Sequence, residues 1–528
     1  GNLTNLTTLY LSENPLAGSI PSELGNLVNL EILRLNDTNL TGSVPASFGN
    51  LVSLQKLILY SSALSGSLPT ELINLKNLQV FSFVQTGLCM PSDTVFQNWI
   101  DGIPEKYVTT TCSTAAFTTC SYAAGLPKSE CDALIALYNS TKGPAWYDNT
   151  LWLKNNTPCS WQGVGCENGH VNTLVLSDNN LSGTIPAAIG NLTHLTVLYL
   201  NHNSLAGTLP STIGNLSELR YLWLSSNQLS GNIPPAIGAL TNLSHLFLDS
   251  NRFYGSIPAE IGGLQKIEQL WLVGNNLSGG IPAQIGGLRT LTVLGLGDNQ
   301  LTGQIPSTIN SLNNITILHL GNNLLSGPLP PELWNLITLK ELYLYRNRFT
   351  GTLPYELKNL IHLQKLYLYS NELEGQLTVS IGNLTELTEL YLDDNYLWNL
   401  PLEIGNLRNL VELGLSYNKF SNLPGTLRNL THLRELWLNN NEYSSLTFGY
   451  GTQTELRILS LANNSISGKI TPNLGLLKNL QALFLENNPN LEGEIPDSFV
   501  NLVDLTTLHL GNTDVCIPNN SAIQEWIQ

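Results

Sequence analysis

At 528 residues the chain is far longer than one globular core normally holds, so it contains either several domains or a repeat. Only 12% of its residues are charged and the net charge is −16 without a Lys/Arg cluster, which excludes phosphate-driven nucleic-acid binding. No apolar run reaches the roughly 18 residues of a membrane span. The start at Gly1 in mid-repeat and the single Met90 read as an internal piece of a longer chain.

A Gly-Asn dipeptide or a close variant opens units at Gly1, Gly25 and Gly49, and an Ile73 unit follows. The series resumes at Gly190 and runs in steps of 24 through Gly214, Gly238, Gly262, Gly286, Asn310, Trp334 and Lys358 to Gly382. Steps of 23 lead to Gly405, Arg428 and Gly451; Gly475 follows at 24 and Val500 at 25. In the unit GNLTHLTVLYLNHNSLAGTLPSTI (190–213), Leu195, Leu198 and Leu200 have the spacing of inward residues around a short strand. Asn203 is placed to bond the backbone of adjacent turns from inside, Leu205 and Leu209 fill the interior, and Gly207 and Pro210 shape the return leg. One unit cannot bury its own apolar face, so stacking must supply the core. The motif LxxLxLxxNxLxGxIPxxxGNL, over about 1–88 and 170–515, resembles the leucine-rich-repeat family in the variety common in plant extracellular receptors. That resemblance implies an α/β repeat superhelix with a parallel β-sheet on its concave face.

In chain order the resemblance divides the sequence as follows. Residues 1–88 are the C-terminal part of a first array, and 89–112 its C-terminal cap. A linker spans 113–127, and an N-terminal cap 128–169, with a helix from about Cys131. A second array of about fifteen repeats covers 170–515, and 516–528 begin a second C-terminal cap. The two C-terminal caps match: Cys-x-Pro at Cys89 and Cys516, then a helix ending in Gln-x-Trp-Ile. The cap text ALYNSTKGPAWYDNTLWL departs from the Leu-Leu-x-Phe-Lys helix of plant receptor caps, which leaves algal, protist or bacterial surface proteins open. The cysteines lie beside the arrays, where disulfide staples belong. Cap logic pairs Cys159 with Cys166, Cys89 with Cys112 and Cys120 with Cys131, with exchange among these last four open. It gives Cys516 a partner beyond Gln528. The linker TTTCSTAAFTTCSYAAG (109–125) is either flexible or held by those staples; the second reading makes the arrays semi-rigid.

The residue between the two strand leucines should face solvent. In the second array this column reads Tyr199, Trp223, Phe247, Trp271, Gly295, His319, Tyr343, Tyr367, Tyr391, Gly414, Trp437, Ser460, Phe484 and His509; in the first it reads Tyr10, Arg34, Ile58 and Ser82. The nine aromatics are the candidate ligand-binding residues, since aromatic faces take sugar rings, apolar side chains and cations. Mutual stacking that stabilises the sheet is the competing role. Neighbouring columns add Asp249, Glu341, Glu389, Asp393, Asp394, Glu412, Glu435 and Glu486, against few bases such as Arg346 and Lys365. Glycosylation candidates are Asn139, Asn155, Asn180, Asn191, Asn215, Asn242, Asn276, Asn314, Asn383 and Asn429, although the repeat text Asn-Leu-Thr/Ser makes sequons by itself.

The eight histidines stand singly in the sequence, with no CxxC, HExxH, GxSxG or phosphate loop, so no metal, no cofactor and no catalytic group is expected. The expected role is a non-enzymatic protein, extracellular or at the cell surface, recognising or adhering to a protein, peptide or polysaccharide through the concave face. The alternative is a building block of an extracellular filament, sheath or wall layer, with further copies of itself as partners.

Overall fold

The computed structural model describes residues 3–108, 112, 120, 126–446 and 451–527. The expected linker therefore lies largely outside the described residues, as does Gln528. The chain forms two compact units, Gly1–Val197 and Leu198–Gln528. The division falls within the strand Val197–Tyr199.

In the first unit, strands Thr8–Tyr10, Ile32–Arg34, Lys56–Ile58, Val80–Ser82 and Glu105–Tyr107 make one parallel sheet. Ala17–Ser19, Thr38–Gly42, Ser62–Ser67 and Gly87–Cys89 make a second. Leu33, Leu57 and Phe81 from the strand centres are fully buried. Helix α1 (Thr94–Asp101) starts at Asp93, whose carboxylate accepts from Phe96 N–H at 2.8 Å. It lays Trp99 against Phe81, with Phe96 packed on Trp99, closing an apolar end that stacking cannot cover.

Helix α2 (Lys128–Ser140) begins after Pro127, three residues before the expected Cys131, because Pro127 presets the chain for a helix start. Its buried side supplies Cys131, Leu134 and Tyr138, and an aromatic cluster of Tyr138, Trp146, Trp152 and Trp161 packs against it. An antiparallel hairpin, Val164–Glu167 with His170–Val175, follows. Disulfides join Cys89 to Cys112, Cys120 to Cys131 and Cys159 to Cys166, while Cys516 is an exposed free thiol.

In the second unit, three-residue strands from Tyr221–Trp223 to Thr507–His509 pair in parallel. Partners are the same position of successive repeats: Tyr221 faces His245, Leu222 faces Leu246 and Trp223 faces Phe247. The central leucine of each strand before the last is buried and its neighbours are mostly half-buried, as the pleat requires, while Leu508 in the last strand is half-buried. After each strand a residue with positive φ turns the chain, as at Arg346 (φ 49°). The inner asparagine then takes over. Asn347 Nδ2 donates to Leu320 O (3.0 Å), Leu344 O (3.1 Å) and Tyr345 O (3.2 Å), and its Oδ1 accepts from Leu325 N–H (3.0 Å). Asn227, Asn251, Asn275, Asn323, Asn371 and Asn395 repeat this pattern.

The return legs form a side sheet from Ser204–Thr208 to Tyr396–Asn399. Its strands carry a glycine at positive φ, such as Gly351 (81°) and Gly375 (88°). The side sheet stops where the repeat shortens. Leu397-Trp398-Asn399-Leu400 lacks the glycine, and no strand forms at 419–422, whose text is likewise one residue short. The deletion falls on the return leg, so the main sheet keeps its register, with Glu412 opposite Glu435.

Asn347→Ala should leave three buried backbone groups short of partners. We expect a local loss of about 2–3 kcal/mol, read as roughly hundredfold faster hydrogen exchange at Leu325 and its neighbours. Exchange at Leu325 unchanged from the parent would show that water replaces the asparagine there.

Candidate functional site

The exposed side of the second unit's sheet is built from the text ELYLY (341–345), KLYLY (365–369), ELYLD (389–393), ELGLS (412–416) and ELWLN (435–439). Because register is conserved, each position becomes a column. All nine aromatics of the central column are half-buried: Tyr199, Trp223, Phe247, Trp271, Tyr343, Tyr367, Tyr391, Trp437 and Phe484.

The rings form runs. Tyr199 meets Trp223 edge-to-face at 5.5 Å between centroids, and Trp223 meets Phe247 at 5.4 Å. Tyr343 and Tyr367 cross at 4.9 Å, as do Tyr367 and Tyr391, with His319 at 5.3 Å from Tyr343. Trp437 stacks on Phe484 at 6.4 Å across the small Ser460. The two glycines are seats for neighbouring rings. A Cβ on Gly295 would lie 2.5 Å from the Trp271 indole, and one on Gly414 would lie 2.5 Å from the Tyr391 ring. Stacking and exposure therefore coexist on this face. In the first unit the corresponding column is Tyr10, half covered by Arg34 at 5.1 Å, then Ile58 and Ser82, both buried.

A carboxylate column runs alongside. Tyr343 Oη donates to Glu341 (2.7 Å), Tyr367 to Glu389, Tyr391 to Glu412, and Trp437 Nε1 to Glu435 (3.1 Å). Lys365 Nζ lies 2.9 Å from Glu389. Burial first, and then the carboxylate each one donates to, pushes the hydroxyls of Tyr343, Tyr367 and Tyr391 far above the ordinary phenol range. Burial lifts the Asp393 carboxyl to about 6, although Ser416 N–H donates to it at 2.8 Å. Burial also depresses His319, whose Nδ1 is buried without a hydrogen-bond partner while Nε2 sits 3.2 Å from Tyr345 Oη. Of the other acids, Asp249 accepts from Ser225 Oγ at 2.5 Å, and Glu486 lies 3.8 Å from His509. Asp394 is an exposed turn residue.

Two features were missed in the sequence. Tyr345 and Tyr369 stack almost flat, at 4.8 Å and 6°, in the column after the second leucine; the doubled Leu-Tyr-Leu-Tyr text was the available signal. The expectation that the histidines stand singly is corrected: His170 and His194 stack at 3.8 Å beside the buried Glu130. They lie 24 positions apart, so the repeat register itself brings them together.

Among the sequons, Asn139, Asn180, Asn191, Asn215, Asn276, Asn314, Asn383 and Asn429 are exposed, while Asn155 and Asn242 are half-buried. The Asn155 amide lies between Ser160 and Trp161, and that of Asn242 bonds Ser217 O.

Three family models match the chain: "Leucine-rich repeat region" at 170–278 and 354–463, "Leucine Rich repeats (2 copies)" at 4–48, and "Leucine Rich Repeat" at 290–312, 314–336, 338–360 and 455–477. Receptor-like protein 36 of Arabidopsis thaliana is 44% identical over 64 residues, which is 12% of this chain and 8% of that protein. The chain thus spans under a tenth of that relative's length. Among solved structures, the plant peptide hormone receptor RGFR1 in complex with RGF2 superimposes with a TM-score of 0.59 at 29% identity, over 97% of this chain and 79% of that one. The ectodomain of the Arabidopsis receptor kinase HAESA, with its IDA peptide hormone ligand, gives 0.55 at 26%, over 96% and 75%. No helix among the described residues is long and apolar enough to cross a membrane. Repeat text, conserved register, asparagine ladder and these likenesses agree: the chain belongs to the leucine-rich-repeat proteins.

Proposed function

We propose that this is an extracellular, non-enzymatic recognition protein that binds an extended peptide or protein segment along the sheet face from His319 to Trp437. The observation that carries the reading is the run Tyr343–Tyr367–Tyr391, half-exposed and flanked by Glu341, Glu389, Asp393, Asp394, Glu412 and Glu435 against few bases such as Lys365 and Arg346. Aromatic faces beside carboxylates favour apolar and cationic side chains together. The two similar receptor structures, a plant peptide hormone receptor in complex with RGF2 and HAESA with its IDA peptide hormone ligand, support the same class of ligand. The three disulfides support an oxidising, extracellular setting.

The test is a library of basic, aromatic-containing decapeptides and, beside it, a panel of β-glucan oligosaccharides, both titrated onto the purified protein by calorimetry. We expect saturable binding to basic peptides, weakened at least about tenfold in Tyr367→Ala/Tyr391→Ala. Tyr254→Ala, on the side sheet, should leave it unchanged. Binding to glucans alone would move the reading to polysaccharide recognition. Concentration-dependent self-association lost in the double variant would move it to assembly.

Asp393 adds a pH dependence with a definite sign. Its folded pKa of about 6 lies above the ordinary value of 3.8, so the folded state holds the proton more tightly. Stability is then highest below about pH 4, is lost as pH rises through 6, and is flat above, a change of at most about 3 kcal/mol. Asp393→Asn should abolish this part of the pH profile of the thermal midpoint. A variant profile that overlays the parent's would place the titration on another group.

A further inference from the structure

Among the described residues, one group of three closely placed ligating side chains lies in the first unit. Glu130 sits in the first turn of α2, with its side chain only 3% exposed. Its Oε2 accepts from Val171 N–H at 2.7 Å, which fixes the carboxylate, and its Oε1 faces two imidazoles. His170 Nδ1 lies 2.6 Å from Oε1, and His194 Nδ1 lies 3.9 Å from the same oxygen. The three ligand atoms fall within 4.8 Å of one another. Thr193 Oγ1 lies 3.4 Å from His194 Nδ1.

We propose that Glu130, His170 and His194 form a binding site for a borderline divalent transition-metal ion, with zinc as the representative. Two imidazole nitrogens and one carboxylate oxygen are a donor set for zinc, copper or nickel, and too poor in oxygen for calcium or magnesium. Tetrahedral ligands about 2.0–2.1 Å from an ion sit roughly 3.3 Å from each other. The two observed distances to Oε1 bracket that value; binding the ion also turns the imidazoles out of their stack, so that each ring plane contains it. The stacked rings bring both Nδ1 atoms to within 4 Å of one oxygen, and His194 is beyond hydrogen-bonding reach of it. The histidine side chains are 33% and 42% exposed, so the ion has an entry path and an open position for water or a partner's donor. The ion would also tie three segments together: helix α2, the hairpin strand His170–Val175 and the turn before strand Val197–Tyr199.

The experiment is titration of the chelator-stripped protein with zinc alone, followed by calorimetry and by thermal melting, with calcium as the comparison ion. Glu130 is left intact, because it also holds Val171 N–H. We expect one zinc per chain, a raised thermal midpoint, and no response to calcium. His170→Gln and His194→Gln should each weaken zinc binding at least about tenfold and remove the stabilisation by zinc, while the zinc-free midpoint of His194→Gln stays near the parent's. His362→Gln/His432→Gln is the control, since those histidines lie 3.1 Å from Glu386 and Glu455 without a second imidazole. The proposal is overturned by absence of saturable zinc binding in the parent. It is equally overturned by binding that survives in His170→Gln/His194→Gln, or that disappears in the control variant.

Discussion

The inner asparagine is the constraint on which the rest depends. Its amide closes three carbonyls around one coil turn, and its carbonyl holds the N–H of the preceding return leg, as Asn347 does between Leu320, Leu344 and Leu325. A buried backbone group without a partner costs free energy on the scale of a lost hydrogen bond, so each coil must place this residue at the same depth. Neighbouring coils are thereby locked in register. Same-position residues then become lateral neighbours: Tyr343 beside Tyr367, and Glu389 beside Glu412. A face made of columns is a consequence of a backbone requirement.

The shortened repeats show which part of each coil is constrained. Between Asn395 and Leu400 one residue is missing, and it is the positive-φ glycine of the side strand. The side sheet ends there, yet Tyr391 still pairs with Gly414 and Gly414 with Trp437. Variation is tolerated on the return leg, because side-strand bonds add to a coil already closed by its asparagine and leucines. It is not tolerated between the first strand leucine and the asparagine, where a slip would turn leucines outward.

Much of this was legible in the sequence, for one reason: periodicity converts spacing into contact. The strands, the inward leucines, the asparagine ladder and the half-exposed aromatic column could all be placed by counting. Counting failed wherever contact depends on side-chain direction or on segments outside the period. The flat Tyr345–Tyr369 pair lies in a column that was not singled out, and the seats that Gly295 and Gly414 provide depend on how neighbouring rings lean. Glu130 comes from the cap helix, 40 positions from His170, so no repeat spacing announces it. The two histidines were visible at 24 positions, but only the helix makes their proximity chemical.

The central face joins two roles that a sequence reading sets against each other. Rings that cross at 4.9 Å stabilise the sheet, and the same contacts hold them in one orientation. The hydroxyls of Tyr343, Tyr367 and Tyr391 are tethered to carboxylates, and Trp437 to Glu435, so their outer edges are presented already ordered. Ordering side chains is a large part of the cost of association, on the order of 1 kcal/mol for each immobilised group. A ligand laid along this face meets a surface whose ordering was completed by folding. The tethers also keep the tyrosine hydroxyls neutral and the carboxylates partly engaged, which leaves the ring faces and the unoccupied carboxylate lone pairs as the contacts on offer. On the proposed reading, such a surface would discriminate by the spacing of apolar and cationic groups along an extended chain, and the fixed repeat register would set that spacing.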